Sequence, residues 1–264
     1  MKKRTLYLAL LSFATIAAVC YGSWTYLGRP SVTLTKNQFS FTFKRPDDTT
    51  IQKKTGAFDS IRLHLRAADL ELKTGEDYCV TYQGPKQACP AFTVKDGVLT
   101  AAEPSPEKNS LSSASRQTVT VTVPQDLTQL KDLSLFSNNG DLTIDPGHTV
   151  TMNTLTLGSE NGDLALYDCR GKMLTAKASN GDVDLETILF SNSDLESGNG
   201  DISLTTADSL GNYTISADSG SGDISIGKNS YSLDDDDHSS ISVGKGPQTI
   251  SLSTDNGDID VSGH

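Results

Sequence analysis

A sixfold repeat is the feature of this sequence that most restricts its fold. The dipeptide Gly-Asp recurs at spacings of 22, 19, 19, 22 and 35 residues, and an apolar-x-apolar pattern follows every aspartate. A small residue stands four positions before each aspartate, and Asn or Ser stands two positions before it. The repeated dipeptides are Gly140-Asp141, Gly162-Asp163, Gly181-Asp182, Gly200-Asp201, Gly222-Asp223 and Gly257-Asp258.

Each copy predicts a strand, a corner and a second strand. Apolar pairs such as Leu133 and Leu135 precede the dipeptide, and alternation with period two indicates a strand with one buried face. Asn-Gly supplies the positive φ angles of a tight turn. A degenerate earlier copy begins at Ile61 and carries Ala68-Asp69 at the corner.

A unit of about 20 residues cannot bury its apolar face alone, so the copies must pack against one another. The near-constant period predicts an all-β fold, a β-solenoid of about 20-residue coils with two strands per coil, stacked about 4.8 Å apart. A row of antiparallel hairpins in a sandwich or barrel is the alternative.

The repeated aspartates are predicted to have a structural role in the turns, because they recur with the period of the fold. Each carboxylate can accept backbone N–H bonds at its corner. Stacked aspartates also repel one another, which outward splay or bound calcium would relieve. No catalytic, cofactor-binding or metal-binding residues are predicted. The basic side chains that an enzyme on this scaffold would use are Arg170, Lys172 and Lys177.

The N-terminus predicts a membrane anchor. Lys2, Lys3 and Arg4 precede an uncharged segment from Thr5 to Gly28, which as a helix of about 36 Å would cross a hydrocarbon core of about 30 Å. The basic flank predicts a cytoplasmic N-terminus and extracytoplasmic residues 29–264. A cleaved signal peptide is the alternative.

The anchor is the first of three predicted segments, and the net charge differs between the two halves of the chain. Residues 1–28 form the predicted transmembrane helix, 29–55 a membrane-proximal linker with a capping strand, and 56–264 the repeat domain. Net charge is +5 over residues 1–130 and −16 over residues 131–264. The overall value of −11 excludes a nucleic-acid binder that works by neutralising phosphates.

The phased repeat resembles the adhesin-like family of bacterial envelope proteins with β-strand repeats, an adhesin-like β-solenoid domain of unknown function. The stretches Phe58–Ile61, Ala68–Leu72 and Asp96–Leu99 are similar to the N-terminal portion of that family. The resemblance covers about residues 56–264 and implies an extracytoplasmic β-solenoid with no assigned catalytic residues. The sequence departs from the family in its 35-residue gap, which contains Asp234–His238.

Two cysteines flank a turn signal at Gly84-Pro85. If strands meet there, Cys79 and Cys89 come within bonding distance, and an extracytoplasmic location permits a disulfide. Two free thiols are the other outcome.

These features predict a membrane-anchored, non-catalytic surface interaction or envelope-sensing module. The alternatives are a polysaccharide-active β-helix enzyme, which would show a groove with clustered carboxylates and a basic residue, and a purely structural spacer, which would show a uniformly polar surface. Predicted partners are the membrane, through the N-terminal helix, and an envelope protein, a glycan or a cationic peptide. The acidic C-terminal half predicts either a cationic partner or a charge that only keeps an exposed solenoid soluble.

Overall fold

The protein is described by a computed structural model. The described residues are 29–35, 38–44, 48–104, 116–231 and 239–263. Residues 1–28 lie outside them, so the transmembrane helix stays a prediction, and the acidic run Asp234–Asp237 lies outside them as well. Within these described ranges no helix is both long enough and apolar enough to cross a membrane.

The chain divides into two compact units, Met1–Thr49 and Thr50–His264. In the first unit, β1 (Arg29–Thr35) and β2 (Gln38–Lys44) form an antiparallel pair in which Val32 lies opposite Phe41. The sequence predicts strands at both places. The membrane-proximal capping function of residues 29–55 is not tested by this pair.

The second unit contains the repeats. The strands from Asp48 onward are, in chain order, β3 (Asp48–Lys54), β4 (Ser60–Leu65), β5 (Asp69–Gly75), β6 (Cys79–Pro85), β7 (Ala91–Lys95), β8 (Val98–Ala102), β9 (Thr118–Pro124), β10 (Asp132–Asn139), β11 (Leu142–Asp145), β12 (Val150–Asn161), β13 (Leu164–Tyr167), β14 (Cys169–Asn180), β15 (Val183–Asn199), β16 (Ile202–Thr206), β17 (Tyr213–Ser219), β18 (Ile224–Ile226), β19 (Asn229–Tyr231), β20 (Ser239–Gly244), β21 (Gln248–Asn256) and β22 (Ile259–Gly263). Short 3-10 helices lie at Lys86–Ala88 and Leu210–Asn212.

Two sheets run the length of the stack, and every coil contributes one strand to each. The first sheet has the order β7-β8-β4-β10-β12-β14-β15-β21-β17-β20. The second has the order β3-β6-β9-β5-β11-β13-β15-β16-β22-β18-β19. The long strand β15 passes from the second sheet into the first. The coils pair in parallel, which confirms the predicted solenoid over the row of hairpins.

The register places equivalent repeat positions directly over one another. Leu133 lies over Leu155, which lies over Leu174, and all three are buried. Matching columns of Leu, Ile and Val on the second sheet fill the other side of the core. Burial of these alternating side chains is what holds the coils together, since no single coil has an apolar core of its own.

The coils do not stack in chain order. The coil with Gly257-Asp258, formed by β21 and β22, lies between the coil of Gly200-Asp201 and the coil of Gly222-Asp223. The chain therefore leaves one position empty, builds β17 and β18, reverses through β19 and β20, and returns to fill that position. This detour accounts for the 35-residue spacing in the sequence.

Both ends of the stack carry reversed strands. At one end β6 and β7 are antiparallel to β9 and β8, and β3 pairs with β6. At the other end β19 and β20 are antiparallel to β18 and β17. Reversed strands end the parallel stack at both of its open edges, where unpaired backbone groups would otherwise recruit another chain.

The predicted disulfide is wrong, because Cys79 and Cys89 are free thiols. Gly84-Pro85 does not close a hairpin: β6 belongs to the second sheet and β7 to the first. Cys79 starts β6, about 20 Å along the extended chain from Pro85, whereas Cys89 directly follows the 3-10 helix Lys86–Ala88 that joins the sheets. The thiols therefore lie beyond the reach of a disulfide.

Candidate functional site

The Gly-Asp dipeptides align along one corner of the solenoid. In spatial order the aspartates are Asp69, Asp141, Asp163, Asp182, Asp201, Asp258 and Asp223, and we call this column the Asp ladder. The backbone N–H of each aspartate after Asp69 donates a hydrogen bond of 2.8–3.2 Å to the carboxylate Oδ1 of the aspartate one coil before. These bonds offset the repulsion between stacked carboxylates.

The glycines of the corner lie against the backbone of the neighbouring coil. At Gly181, φ is +152°, and an added Cβ would lie 2.2 Å from the carbonyl oxygen of Gly162. The other corner glycines make the same close approach, and all except Gly140 have a positive φ. A side chain is therefore excluded by the stacking as well as by the backbone conformation.

Hydroxyl and amide side chains complete the corner. Five buried hydroxyls donate to a backbone carbonyl at the corner of the preceding coil, those of Ser137, Ser159, Ser197, Thr254 and Ser219. Asn139, Asn161, Asn180, Asn199 and Asn256 form a second column whose side-chain amides bond to one another at 2.9–3.2 Å. The corner is thus a continuous network within the protein.

Arg116 closes one end of the Asp ladder. Its guanidinium contacts Asp69 at 2.5 Å and Asp141 at 3.1 Å, and the hydrogen bond and charge of Asp69 raise the pKa of Arg116. Within the described parts of the chain, no group of three or more His, Cys, Asp or Glu side chains could hold a metal ion. The twelve predicted Gly and Asp residues thus lie together in a corner that builds the fold.

A different corner carries a groove. Two adjoining surface depressions of about 340 and 320 Å³ share Thr151, Met152 and Asn153. We call them together the basic groove. Its walls are formed by residues 129–131, 151–153, 170–172 and 189–191, with Asp59 and Gln248.

The groove crosses successive coils, because its walls are built from equivalent positions. Thr151 lies between Gln129 and Arg170 in parallel register. The backbone N–H of Asn153 donates to the carbonyl of Lys131 at 2.8 Å, and the register on either side sets Asn153 beside Lys172. Lys131 and Lys172 therefore stand two coils apart, about 10 Å between Cα atoms.

Charge distinguishes the groove from the rest of the acidic half. Lys131 is paired with Asp59 at 2.5 Å, and this contact raises the pKa of Lys131 and lowers that of Asp59. Arg170 and Lys172 are exposed and, among the described residues, have no carboxylate within ion-pair distance. Next to them Met173 keeps 53% of its surface exposed.

The chemistry available in the groove is recognition of anions and hydrogen-bonding groups. Three cations face one carboxylate, and that carboxylate is already paired. Side-chain amides of Gln129, Asn153 and Gln248 supply both donors and acceptors. The described lining holds one carboxylate, that of Asp59, whereas glycoside hydrolysis by the usual route uses two.

Part of this groove is predictable from the sequence. Arg170, Lys172 and Lys177 stand out there as basic side chains of the repeat, and the structure brings the first two together. Lys177 instead lies on the outer face of the first sheet, paired with Glu196 at 2.6 Å and Asp194 at 3.4 Å. Lys131 was missed, although it aligns with Lys172 in the repeat frame.

The fold defines the chain as a parallel β-solenoid ended by reversed strands. Residues 58–210 match the family described as Toastrack DUF4097, and the protein belongs to that family. Among curated proteins, none matches the chain.

Solved structures resemble the chain at low identity. A "putative cell adhesion protein" from Clostridium sporogenes ATCC 15579 is 14% identical, with a TM-score of 0.46 over 82% of this chain and 100% of its own. A "putative adhesin" from Bacteroides fragilis NCTC 9343 is 14% identical, with a TM-score of 0.46 over 83% of this chain and 98% of its own. A "putative lipid binding protein" from Parabacteroides distasonis ATCC 8503 is 12% identical, with a TM-score of 0.34 over 83% of this chain and 96% of its own.

Proposed function

We propose that this protein is a membrane-anchored, extracytoplasmic interaction module of a bacterial cell envelope, and that it binds through the basic groove without catalysis. The positively flanked apolar segment from Thr5 to Gly28 supports the anchor and the orientation. Membership of the Toastrack DUF4097 family is consistent with a β-repeat module whose work is contact with other envelope components.

One observation carries the binding role: Arg170 and Lys172 are exposed beside a groove and have no acidic partner among the described residues. Several other cations of the solenoid are paired with carboxylates, as Arg66 is with Glu103 and Arg116 with the Asp ladder. Lys95 and Lys228 are also exposed without such a partner among the described residues, but they do not line the groove. Arg170 and Lys172 combine the missing partner with a place in the groove, and there they are available to a ligand.

The groove also bears on the two other functions. A polysaccharide-active enzyme calls for clustered carboxylates, whereas the single carboxylate of the groove, Asp59, is bound to Lys131. A structural spacer calls for a uniformly polar surface, whereas this surface concentrates cations and the exposed Met173 at one corner. Non-catalytic binding is the function that this arrangement supports best.

Labelling of intact cells tests the location. A membrane-impermeant amine reagent should modify Lys172 in the full-length protein before lysis, while a cytoplasmic control protein stays unmodified. The labelled protein should stay with the membrane fraction after a high-salt wash. Modification only after lysis would refute the extracytoplasmic location, and release of all the protein into the medium would show cleavage of the N-terminal segment.

Incubation with a candidate glycan tests the absence of catalysis. The purified full-length protein should release no new reducing ends from a glycan that it binds. New reducing ends that disappear in the Asp59→Asn variant would identify an enzyme instead.

A further inference from the structure

We propose that the basic groove binds an acidic polysaccharide, a glycan whose sugars carry carboxylates. This inference rests on the proposed function, because it names the ligand of the same groove. Its support comes from three properties of the groove: the placement of its cations, the hydrogen-bonding groups between them, and the rigidity of its walls.

The cations are arranged for a chain that carries several negative charges. Lys131 and Lys172 stand about 10 Å apart along the stacking direction, and Arg170 lies two residues from Lys172, beyond Gly171. A polymer lying along the groove would meet these charges in succession. The planar guanidinium of Arg170 fits a carboxylate in a two-pronged contact, for which lysine is less suited.

The amides of the groove favour a sugar over a bare anion. Gln129 and Asn153 line the groove beside the cations, and side-chain amides can both donate to and accept from sugar hydroxyls. At the far end, the Oε1 atom of Gln248 is buried and accepts no hydrogen bond from any described residue. A buried acceptor without a donor is costly. Rotation of the Gln248 side chain into the groove would bring this acceptor to a ligand hydroxyl and remove the cost.

The walls are held in place before any ligand arrives. Backbone bonds join successive coils at the groove, from Leu130 to Thr151 at 3.0 Å and from Asn153 to Lys131 at 2.8 Å. Met152 and Phe190 are buried beneath it. Binding therefore does not require the backbone to be ordered, which lowers the entropic cost of association.

The remaining acidic surface directs the polymer to this corner. Net charge is −16 over residues 131–264, and Asp184, Glu186 and Asp260 are exposed on the second sheet. Such a surface repels a polyanion, so an acidic glycan is admitted only where the local charge is positive.

Titration calorimetry tests the proposal, with full-length protein in neutral detergent and an oligogalacturonate of defined length. We compare the wild type with the Arg170→Gln/Lys172→Gln double variant. The matched control is Lys95→Gln/Lys228→Gln, which removes the same charge from exposed lysines outside the groove. At about 20 mM salt the groove variant should bind at least about tenfold more weakly, and the control within about twofold of the wild type.

Two further arms separate the possible explanations. The methyl ester of the same oligosaccharide lacks the carboxylate charge and should not bind measurably. Urea unfolding midpoints of both double variants should match the wild type, so that lost binding reflects the groove and not the fold. Equal weakening in the groove and control variants, or equal binding of the methyl ester, would overturn the proposal.

Polyglutamate distinguishes failure of this inference from failure of the proposed function. If polyglutamate binds through Arg170 and Lys172 while the oligogalacturonate does not, the glycan assignment is overturned and the interaction module stands. If neither polyanion binds, the groove is not an anion site, and the cell-labelling experiment alone decides the envelope location. If the oligogalacturonate binds and is cleaved, the groove assignment stands and the non-catalytic function falls.

Discussion

Replacement of Gly181 by valine tests the stacking of the corner most directly. The residue has a φ of +152°, and adoption of such a conformation by a residue other than glycine costs about 1–3 kcal/mol. A Cβ would also lie 2.2 Å from the carbonyl oxygen of Gly162, against an ordinary contact distance that begins at 3.4 Å. The two coils must therefore move apart by about 1 Å at this point.

The separation weakens the bonds that join these coils. The N–H of Gly162 donates to the carbonyl of Asn180 at 3.0 Å, and the N–H of Asp182 donates to the carboxylate of Asp163 at 2.9 Å. Each such bond contributes about 0.5–1.5 kcal/mol. Together with the backbone strain, the expected loss in the free energy of unfolding is between about 2 and 6 kcal/mol.

Two control glycines distinguish the effect of backbone strain from the effect of contact with the neighbouring coil. Gly147 has a φ of +66°, and a Cβ added there would have no atom within 4 Å; Gly56 has neither a positive φ nor a close neighbour. Gly147→Val should therefore lose only the strain of the backbone, about 1–2 kcal/mol, and Gly56→Val should stay within about 0.5 kcal/mol of the wild type.

Urea unfolding of the full-length protein, followed by far-ultraviolet circular dichroism, measures all three variants. If Gly181→Val unfolds at the same urea concentration as Gly147→Val, then contact with the neighbouring coil does not exclude the side chain, and the reasoning from stacking is refuted.

Four further measurements address other parts of the molecule. Ala178→Ser restores the one hydroxyl missing from the buried column and should stabilise the protein by about 0.5–1.5 kcal/mol; a lower melting temperature would contradict this. Asp182→Asn keeps the acceptor of the Asp ladder and should change stability by less than about 0.5 kcal/mol, whereas Asp182→Ala should lose about 1 kcal/mol, and equal urea midpoints would speak against the hydrogen-bonded ladder. Burial raises the pKa of the Cys169 thiol from 9.0 to about 12, so the unfolded state loses this proton first and stability should fall as the pH rises from 9 towards 12; a Cys169→Ala variant with the same slope in urea unfolding would exclude that cause. Cys79 and Cys89 should both react with an alkylating reagent in denaturant without reductant, and a linked peptide in the mass spectrum would contradict the free thiols.

The architecture of a coil was predictable because it is determined by residues within a single repeat. The alternation at Leu133 and Leu135 fixes the buried face, and the Asn-Gly-Asp run fixes the corner, so period and strand content follow from neighbouring residues. The degenerate copy at Ala68-Asp69 also takes its predicted place, next to the first Gly-Asp coil.

The order of the coils was not predictable in the same way. All coils present nearly identical edges, so the local pattern does not say which coil lies beside which. The exchange of the last two coils depends on β19 and β20, which reverse the chain before β21 enters.

The disulfide prediction failed for a related reason, because a turn signal at Gly84-Pro85 does not say whether the chain stays in one sheet or crosses to the other.

Only some residues of the basic groove could be predicted from the sequence, because the groove is formed by residues from several coils. Arg170 and Lys172 are close in sequence and stand out in an acidic region, but Gln248 reaches the groove only through the exchanged coil. A comparison of residues at equal repeat positions would have found Lys131, since Asp132 lies over Thr154 and therefore Lys131 lies over Asn153.

The negative charge of the repeat domain has two separate physical roles. Carboxylates of the Asp ladder are used within the fold, as acceptors for the next coil. Those on the second sheet, such as Asp184 and Glu186, are exposed. Burial, followed by the charge of these two groups, raises the pKa of Tyr167. The ladder and the basic groove lie at opposite ends of the first-sheet strands, about 23 Å apart from Thr154 to Asn161. This separation exceeds the screening length of about 8 Å at physiological salt. An anionic polymer at the groove is therefore not repelled by the ladder. The opposed charges let one narrow solenoid present two chemically different surfaces.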